Sequence, residues 1–336
     1  MLDEAREAPR AIGRLLAADD EIYASLGADL RADPPQSLLT IARGSSDHAA
    51  HYMGYLIMAR LGRLVTSLPM SLVMLYRSRL QREGLVSLAF SQSGQSPDLV
   101  EPTRFFRDGG ARTVAFVNDA TSPLARVAQW VLPLHAGVET SVAATKSYIA
   151  QLVAGARLIA AWEDDAALHA ALRDLPAVLL QAARQNWQPA VDTLVHADKL
   201  FVIGRGTGLA IAMEAALKFK EVCGIQAEAF SGAEVMHGPM ALVDQGYPLL
   251  VFAPRGPAQA GLIEIADDMR RRGAHVLLAA PSGVPGSELP IVVSGGEDLD
   301  PITAIQSFYP MVEALARARN LDPDRPRHLA KVTRTR

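Results

Sequence analysis

Short apolar runs alternate along the chain with longer stretches in which apolar residues recur at helical spacing. The runs are bounded by glycine, serine or proline, which is typical of buried strands. The periodic stretches predict helices, because residues three or four positions apart share one helical face. Strands are predicted at residues 37–42, 85–90, 112–117, 130–134, 200–203, 248–252, 275–279 and 290–293. Helices are predicted at residues 1–27, 47–61, 97–106, 144–162 and 163–196, after Gly206, and at residues 260–272 and 304–319.

Two local expectations follow from this pattern. Residues 28–35 are predicted to form a loop between the first helix and the first strand. In the second helix, His51, Tyr55, Met58 and Leu61 recur at helical spacing, and we expect this stripe to face the core.

The alternation of strands and helices occurs twice. Arg43-Gly44 matches Arg205-Gly206, and Gly94 matches Gly256 at the same offset, a period of about 160 residues. Strands that alternate with helices predict parallel sheets covered on both faces. The sequence therefore predicts an α/β protein with two tandem domains, each a doubly wound parallel sheet flanked by helices. The expected parts are an N-terminal helix (1–30), a first domain (31–165), a helical linker (166–195), a second domain (196–322) and a C-terminal tail (323–336).

The composition excludes several classes of protein. The chain has 336 residues, of which 49% are hydrophobic and 21% charged, and its formal net charge is −3. It can bury a full core, and it has no basic tract for nucleic acid. The single cysteine, Cys223, excludes an intrachain disulfide framework and a cysteine-rich zinc site. No signal-peptide core and no apolar run of about 18 residues is present, so we expect a soluble cytoplasmic protein without a membrane partner.

Two loops rich in hydroxyl groups follow predicted strands of the first domain. They are Gly44-Ser45-Ser46 and Ser91-Gln92-Ser93-Gly94-Gln95-Ser96, and each opens a predicted helix. Ligands of open α/β sheets bind at the carboxyl ends of strands, where backbone N–H groups and hydroxyls favour phosphate. Neither loop has the lysine of a nucleoside triphosphate site, so a phosphorylated small metabolite fits better. The alternative is that these residues only build turns and helix caps.

Glu214, Lys218 and Glu221 share one face of the helix predicted after Gly206. Leu209, Met213 and the pair Ala216/Leu217 form its expected apolar stripe. The charged face is either a solvated surface or an acid–base cluster, which we place at the ligand edge of the second sheet. His237 follows on a segment that we expect to be irregular, where catalytic residues concentrate.

A carboxylate beside a cation and a histidine can have separate pKa values, as acid and base roles at neutral pH require. No grouping of histidine, cysteine and aspartate has convincing metal-ligand spacing, so no metal is expected. Gly204-Arg205-Gly206-Thr207-Gly208 lacks the spacing of a dinucleotide loop, so no dinucleotide cofactor is expected either.

Seven motifs together resemble a known family. In order and in spacing they are similar to the double sugar-isomerase (SIS) module of glucosamine-6-phosphate synthase, over residues 35–336. The motifs are Arg43-Gly-Ser-Ser46, Ser91-Gln-Ser-Gly94, Val142-Ala-Ala-Thr-Lys146, Glu214-Ala-Ala-Leu-Lys-Phe-Lys-Glu221, Ala227-Glu-Ala-Phe230, Glu234-Val-Met-His-Gly-Pro239 and Arg327-His-Leu-Ala-Lys331.

The resemblance implies roles for individual residues. Glu221 would move a proton between C1 and C2 of a sugar, supported by Lys218 and Glu214, and Lys331 would lie at the sugar. His237 would assist ring opening, and in the synthase this residue comes from the partner subunit, so a homodimer with a shared site is expected. The phosphate would be bound by Ser46, Ser91, Gln92, Ser93 and Ser96, and the rest of the substrate would be contacted by Gly44, Ser45, Val142 and Ala144. Ala144 replaces a serine of the synthase, which removes one side-chain contact. No metal or organic cofactor is implied.

The synthase begins with a glutaminase domain that has no counterpart here, so we expect no internal ammonia source. The start of the chain, Ser96-Pro97-Asp98 and the final residues resemble stand-alone SIS-type glucosamine-6-phosphate deaminases. The resemblance therefore implies conversion of D-glucosamine 6-phosphate and water to D-fructose 6-phosphate and ammonia. The first domain would hold the phosphate and the second would carry the proton chemistry. Galactosamine 6-phosphate or fructosamine 6-phosphate as substrate, and a sugar-phosphate sensor without catalysis, stay open as alternatives.

Overall fold

The computed structural model describes residues 1–331, so residues 332–336 of the predicted C-terminal tail lie outside the described part of the chain. The described residues form two compact units. The first-sheet unit contains Arg10–Glu139, Lys146–Arg173 and residues 330–331. The second-sheet unit contains Met1–Pro9, Thr140–Thr145 and Asp174–Leu329.

The first-sheet unit is built on a parallel sheet with the strand order β2-β1-β3-β4-β5. Its strands are β1 (Ser37–Ile41), β2 (Leu64–Ser67), β3 (Leu85–Ser91), β4 (Arg112–Val117) and β5 (Trp130–Pro133). The chain passes from β1 to β2 on one side of β1, and then returns to β3 on the other side of β1. The crevice between the carboxyl ends of β1 and β3 is therefore the topological switch point, where such sheets bind ligands.

The second-sheet unit repeats this topology. Its strands are β6 (Lys199–Gly204), β7 (Gln226–Ser231), β8 (Pro248–Phe252), β9 (His275–Pro281) and β10 (Leu289–Ile291). Their order, β10-β9-β8-β6-β7, is that of the first sheet read from the other side, and all pairs are parallel. The register is duplicated as well, because Ile41 pairs with Ala89 and Ile203 with Val251. The predicted fold class and the internal duplication are confirmed.

Twelve α-helices cover the two sheets in the described residues. They are α1 (Leu2–Ala17), α2 (Asp20–Ala32), α3 (Ser45–Leu61), α4 (Ser71–Met74), α5 (Pro97–Asp108), α6 (Pro123–Val127), α7 (Lys146–Glu163), α8 (Ala166–Ala182), α9 (Gln188–Leu194), α10 (Thr207–Cys223), α11 (Gln259–Arg271) and α12 (Asp300–Ala318). None of the described helices combines the length and the apolar character needed to cross a membrane.

Several predicted boundaries were wrong. The single helix predicted at residues 1–27 is two helices, because Asp19 adopts a left-handed backbone conformation (φ 62°) that interrupts the helix. The loop predicted at residues 28–35 is mostly the end of α2. Four helices and strands were not predicted at all, namely the edge strands β2 and β7 and the short helices α4 and α6.

The expected core stripe of α3 was also wrong. Tyr55 and Met58 are each 41% exposed, whereas the neighbouring Tyr52, Met53 and Leu56 are fully buried. Helix α3 packs on its sheet and on α7 at the same time. Because the sheet and α7 contact α3 from two sides, the buried face of the helix is shifted by one residue from the predicted stripe.

Candidate active site

The two hydroxyl-rich loops meet at the switch point of the first sheet. The first follows β1 and opens α3, and the second follows β3 and opens α5. Because β1 and β3 are neighbours in register, the sheet brings both loops to one crevice. Sequence reasoning could predict this meeting, since the carboxyl ends of parallel strands share an edge.

The loop after β3 has a closed, fixed shape. The Ser91 hydroxyl accepts a hydrogen bond from the Gly94 N–H at 2.9 Å. Gly94 has a φ of +63°, and a Cβ there would lie 2.8 Å from Cγ2 of Val117 and closer still to Ser122. Only glycine fits both the conformation and the space. Ser93 in turn accepts from the Gln95 N–H at 3.3 Å.

A buried glutamine completes the loop after β1. Gln151, on α7, donates from Nε2 to the Ser46 hydroxyl at 2.9 Å, which leaves the hydroxyl hydrogen of Ser46 to donate to a ligand. Sequence reasoning missed Gln151. The available signal was a polar residue inside an otherwise apolar predicted helix, because buried polar groups are nearly always hydrogen-bonded.

Asp47 follows Ser46 in the first turn of α3. Burial raises the pKa of Asp47, and the nearby His48, His51 and Arg43 offset only part of that rise.

The acid–base cluster on α10 is buried. Lys218 Nζ lies 3.1 Å from Oε1 of Glu214 and 2.6 Å from Oε2 of Glu221, and the Glu214 and Lys218 side chains are fully buried. On α12, the Tyr309 hydroxyl donates to Oε1 of Glu214 at 3.3 Å. The side chain of Glu221 is 19% exposed, which makes it the accessible member of the cluster.

Burial by itself would lower the pKa of Lys218. The charges of Glu214 and Glu221 outweigh this effect, and the pKa of Lys218 lies above its usual value. The lysine therefore stays an ammonium ion that neutralises one of the two carboxylates. The interpretation of this face as a solvated surface is excluded.

Two expectations about α10 were wrong. Of the expected stripe, Ala216 is buried, whereas Leu209, Met213 and Leu217 are only partly buried. The charged face packs inward toward α12. The cluster is also not at the ligand edge of the second sheet. Helix α10 starts at that edge with Thr207 and runs back along the sheet, so Glu221 lies about 20 Å away, near the amino end of β7.

Glu221 lines a cavity of about 930 Å³ in the second-sheet unit. Other walls are formed by Val195, Cys223, Arg319 and His328. The carboxylate therefore faces a space large enough for a sugar phosphate.

His237 lies elsewhere in the same unit. The segment before it is the strand β7, not the irregular segment that was expected, and 3₁₀ turns at Glu234–Met236 and Pro239–Leu242 follow. His237 is exposed and lines a separate cavity of about 620 Å³ with Met236 and Met240. The second-sheet unit thus holds Glu221 near the amino end of β7 and His237 beyond its carboxyl end, and does not bring them together.

Lys331 belongs to the first-sheet unit and contacts a residue that sequence reasoning did not select. Its Nζ donates to Oε2 of Glu139 at 3.2 Å. Glu139 also accepts hydrogen bonds from the backbone N–H and the hydroxyl of Ser147. Val142 and Ala144 lie in the following loop and are partly buried. Within residues 1–331, no group of three or more histidine, cysteine, aspartate or glutamate side chains could hold a metal ion.

The ligand edge of the second sheet carries different chemistry. At the offset that relates Arg43 to Arg205, Ser91 corresponds to Ala253 and Ser93 to Arg255. The Arg255 guanidinium donates to both oxygens of Asp300, at 2.6 and 3.0 Å.

Asp300 is fully buried and also accepts from the N–H and the hydroxyl of Ser294, each at 2.8 Å. The hydrogen bonds to Asp300 raise the pKa of Arg255. At this edge Arg255 is therefore held in an ion pair with Asp300.

Comparison with known proteins identifies a family model that matches most of the chain. Residues 34–161 and 193–282 match the SIS domain family. The glutamine–fructose-6-phosphate aminotransferase [isomerizing] of Aeropyrum pernix is 36% identical over 99% of this chain, which covers 56% of that protein. The chain spans little more than half the length of such relatives.

Two solved structures extend the comparison. A candidate phosphosugar isomerase of Silicibacter pomeroyi is 44% identical, with a TM-score of 0.91 over 96% of this chain and 99% of that one. The C-terminal domain of glucosamine-fructose-6-phosphate aminotransferase from Francisella tularensis shares the fold, with 24% identity and a TM-score of 0.86 over 96% of this chain and 97% of that one.

Proposed function

Because the chain belongs to the SIS domain family, we propose that it is a phosphosugar isomerase that releases ammonia, converting D-glucosamine 6-phosphate and water to D-fructose 6-phosphate and ammonia. The observation that carries the proposal is the buried Lys218 ammonium between two carboxylates, one of which, Glu221, remains accessible. The amino-sugar chemistry named for the Aeropyrum pernix relative supports the substrate class.

The loops at the switch point of the first sheet would bind the phosphate. Ser46, Ser91, Ser93 and Ser96 supply hydroxyls, and the first turns of α3 and α5 supply backbone N–H groups. Gln92, Gly44 and Ser45 would add contacts from the same loops. The fixed shape of the Ser91–Gly94 turn means that little order has to be gained when the anion binds.

Glu221 would act as the base. Ring opening, assisted by His237, exposes the C1 aldehyde. Glu221 then takes the proton from C2 while O1 gains a proton, which gives an enolamine. Return of the proton from Glu221 to C1, with loss of one N–H proton, leaves an imine at C2. Water adds to the imine carbon, ammonia leaves, and D-fructose 6-phosphate remains. A positioned carboxylate of this kind typically contributes ~10²–10⁴-fold to the rate.

The other charged residues would prepare this base. Lys218 fixes one oxygen of Glu221 and stabilises its ionised form, while Glu214, held by Tyr309, fixes Lys218. Lys331 would contact the sugar from the C-terminal tail.

His237 and Glu221 line different cavities of the second-sheet unit. We infer that His237 acts in the site of a second copy of the chain, so that the working enzyme is a homodimer with shared sites. Mixing a His237→Ala chain with a Glu221→Gln chain tests this, because mixed dimers regain one intact site. No recovered activity in the mixture would mean that one chain supplies both residues.

The reaction is tested by measuring ammonia and ketose phosphate released from D-glucosamine 6-phosphate, galactosamine 6-phosphate and fructosamine 6-phosphate. We expect D-glucosamine 6-phosphate to give the highest kcat/KM. A higher kcat/KM with another of these sugars would indicate a related deaminase or deglycase instead. Ala144 would allow such a preference, because it has no hydroxyl that could contact a hydroxyl of the sugar. Binding without release from any of the three would favour a sensor.

A further inference from the structure

A buried carboxylate outside the acid–base cluster contacts the C-terminal tail. The side chain of Glu139 is fully buried, and its Oε2 lies 3.2 Å from Nζ of Lys331, which is 25% exposed. A buried carboxylate needs compensation by charge or hydrogen bonds. Here the compensation comes from two separate parts of the first-sheet unit, helix α7 and the tail.

The first turn of α7 fixes Glu139 independently of the tail. The Ser147 N–H donates to Oε1 at 3.1 Å, and the Ser147 hydroxyl donates to Oε2. The amino end of the helix favours a negative charge at this position. Next to it, the buried Lys146 donates from Nζ to the carbonyl of Val138 at 2.5 Å. The start of α7 therefore holds the Glu139 carboxylate in place through Ser147.

The contact bears directly on the residues assigned to the substrate. Glu139 immediately precedes the loop that contains Val142 and Ala144, and Lys331 is the tail residue expected at the sugar. The tail has no regular helix or strand between the end of α12 and Lys331, so its position depends on side-chain contacts such as this one.

We propose that Glu139 is a positioning residue that holds the Lys331 ammonium and thereby fixes the C-terminal tail for reaction. The role in the reaction rests on the proposed function, whereas the holding of Lys331 does not. Glu139→Gln is the informative change, because the amide keeps the size and an acceptor for Ser147 but loses the charge that attracts Lys331.

Trypsin measures the holding of Lys331 without reference to activity, since cleavage requires the lysine side chain to enter the protease. In native Glu139→Gln protein we expect cleavage after Lys331 to be at least about tenfold faster than in the unchanged chain, as cleavage follows the open population. Glu83→Gln, at an exposed carboxylate of the same unit, should leave the rate unchanged. Equal rates for Glu139→Gln and the unchanged chain would overturn the proposal.

Kinetics test the effect on the reaction. Glu139→Gln should lower kcat by roughly 10- to 100-fold with little change in KM, because misplacement of a reacting group costs rate and the phosphate loops are untouched. In a Lys331→Met background the same change should cost almost nothing more. Additive losses would show that Glu139 acts through α7 alone and would overturn the role.

Ser147→Ala is a milder second variant in case Glu139→Gln folds poorly. It keeps both charges and should loosen Lys331 less than Glu139→Gln does, in both assays. If the unchanged chain turned over none of the sugar phosphates, the proposed function would be refuted. The trypsin comparison would still decide whether Glu139 holds the tail.

Discussion

The two sheets have the same strand order and the same register, yet their ligand edges differ in chemistry. At the first edge, the loop after β3 carries the hydroxyls of Ser91 and Ser93. At the second edge, Arg255 takes the position of Ser93 and is bound by the buried Asp300. The duplication thus preserved a scaffold, while the chemistry of each edge changed by substitution.

The two units also differ in where their candidate functional groups lie. In the second-sheet unit, the accessible carboxylate of Glu221 is at the far end of α10, not at the ligand edge. The candidate residues thus lie on loops at the ligand edge in the first-sheet unit and at the end of α10 in the second-sheet unit. We expect substitutions in the first-sheet loops to change binding and substitutions on α10 to change the rate.

Glu221→Gln should produce the largest effect. We expect ammonia release to fall by about 10²–10⁴-fold, because the amide cannot accept the C2 proton. Binding of the sugar phosphate, measured by calorimetry, should stay nearly unchanged, since the phosphate loops belong to the other unit. Glu228→Gln, at an exposed carboxylate of β7, is the control. Turnover like that of the unchanged chain would refute the assignment of the base.

Arg255→Met should reduce stability without affecting substrate binding. It leaves Asp300 buried with hydrogen bonds from Ser294 but without a cation. We expect the free energy of unfolding to fall by roughly 2–3 kcal/mol, less than for a fully buried pair because Arg255 is 38% exposed. Urea denaturation measures the loss, and Arg255→Met with Asp300→Asn should recover part of it. A raised KM instead would mean that the second edge also binds substrate.

Ser93→Ala should raise KM by about tenfold with little change in kcat, as expected for the loss of one hydrogen bond to a charged phosphate. Ser91→Ala should act in the same direction. The matched control is Thr207→Ala, which removes a hydroxyl at the equivalent edge of the second sheet. If Thr207→Ala raised KM as much as Ser93→Ala does, the inferred difference between the two ligand edges would be wrong.

Cys223 gives the smallest expected effect. Burial raises the pKa of its thiol to about 12, and Arg319 offsets only part of that rise. The stabilisation from the protonated thiol is present below the ordinary thiol pKa of 9.0 and is lost as pH rises toward 12. At pH 8 a thiol reagent should label Cys223 only after denaturant is added. Rapid labelling of the native protein would show that the cavity beside Glu221 opens into the core.

The sequence was sufficient to predict the alternation of elements, the duplication and the meeting of the two hydroxyl loops, because these depend on local pattern and strand order. It was not sufficient for the face that α10 buries. Periodicity assigns charged faces to solvent, whereas in the structure α12 covers this face and its Tyr309 hydroxyl donates to Glu214. Gln151 and Glu139 were missed for the same reason, since their partners Ser46 and Lys331 are remote in sequence.

The interlaced course of the chain has a consequence for how the two halves can be separated. The second-sheet unit includes Met1–Pro9 and Thr140–Thr145, and Gln306 of α12 donates to the Ala5 carbonyl at 2.9 Å. A fragment that starts at Asp174 would lack these pieces and expose the surface they cover. The halves are copies in architecture, but no single cut in the gene separates one complete unit from the other.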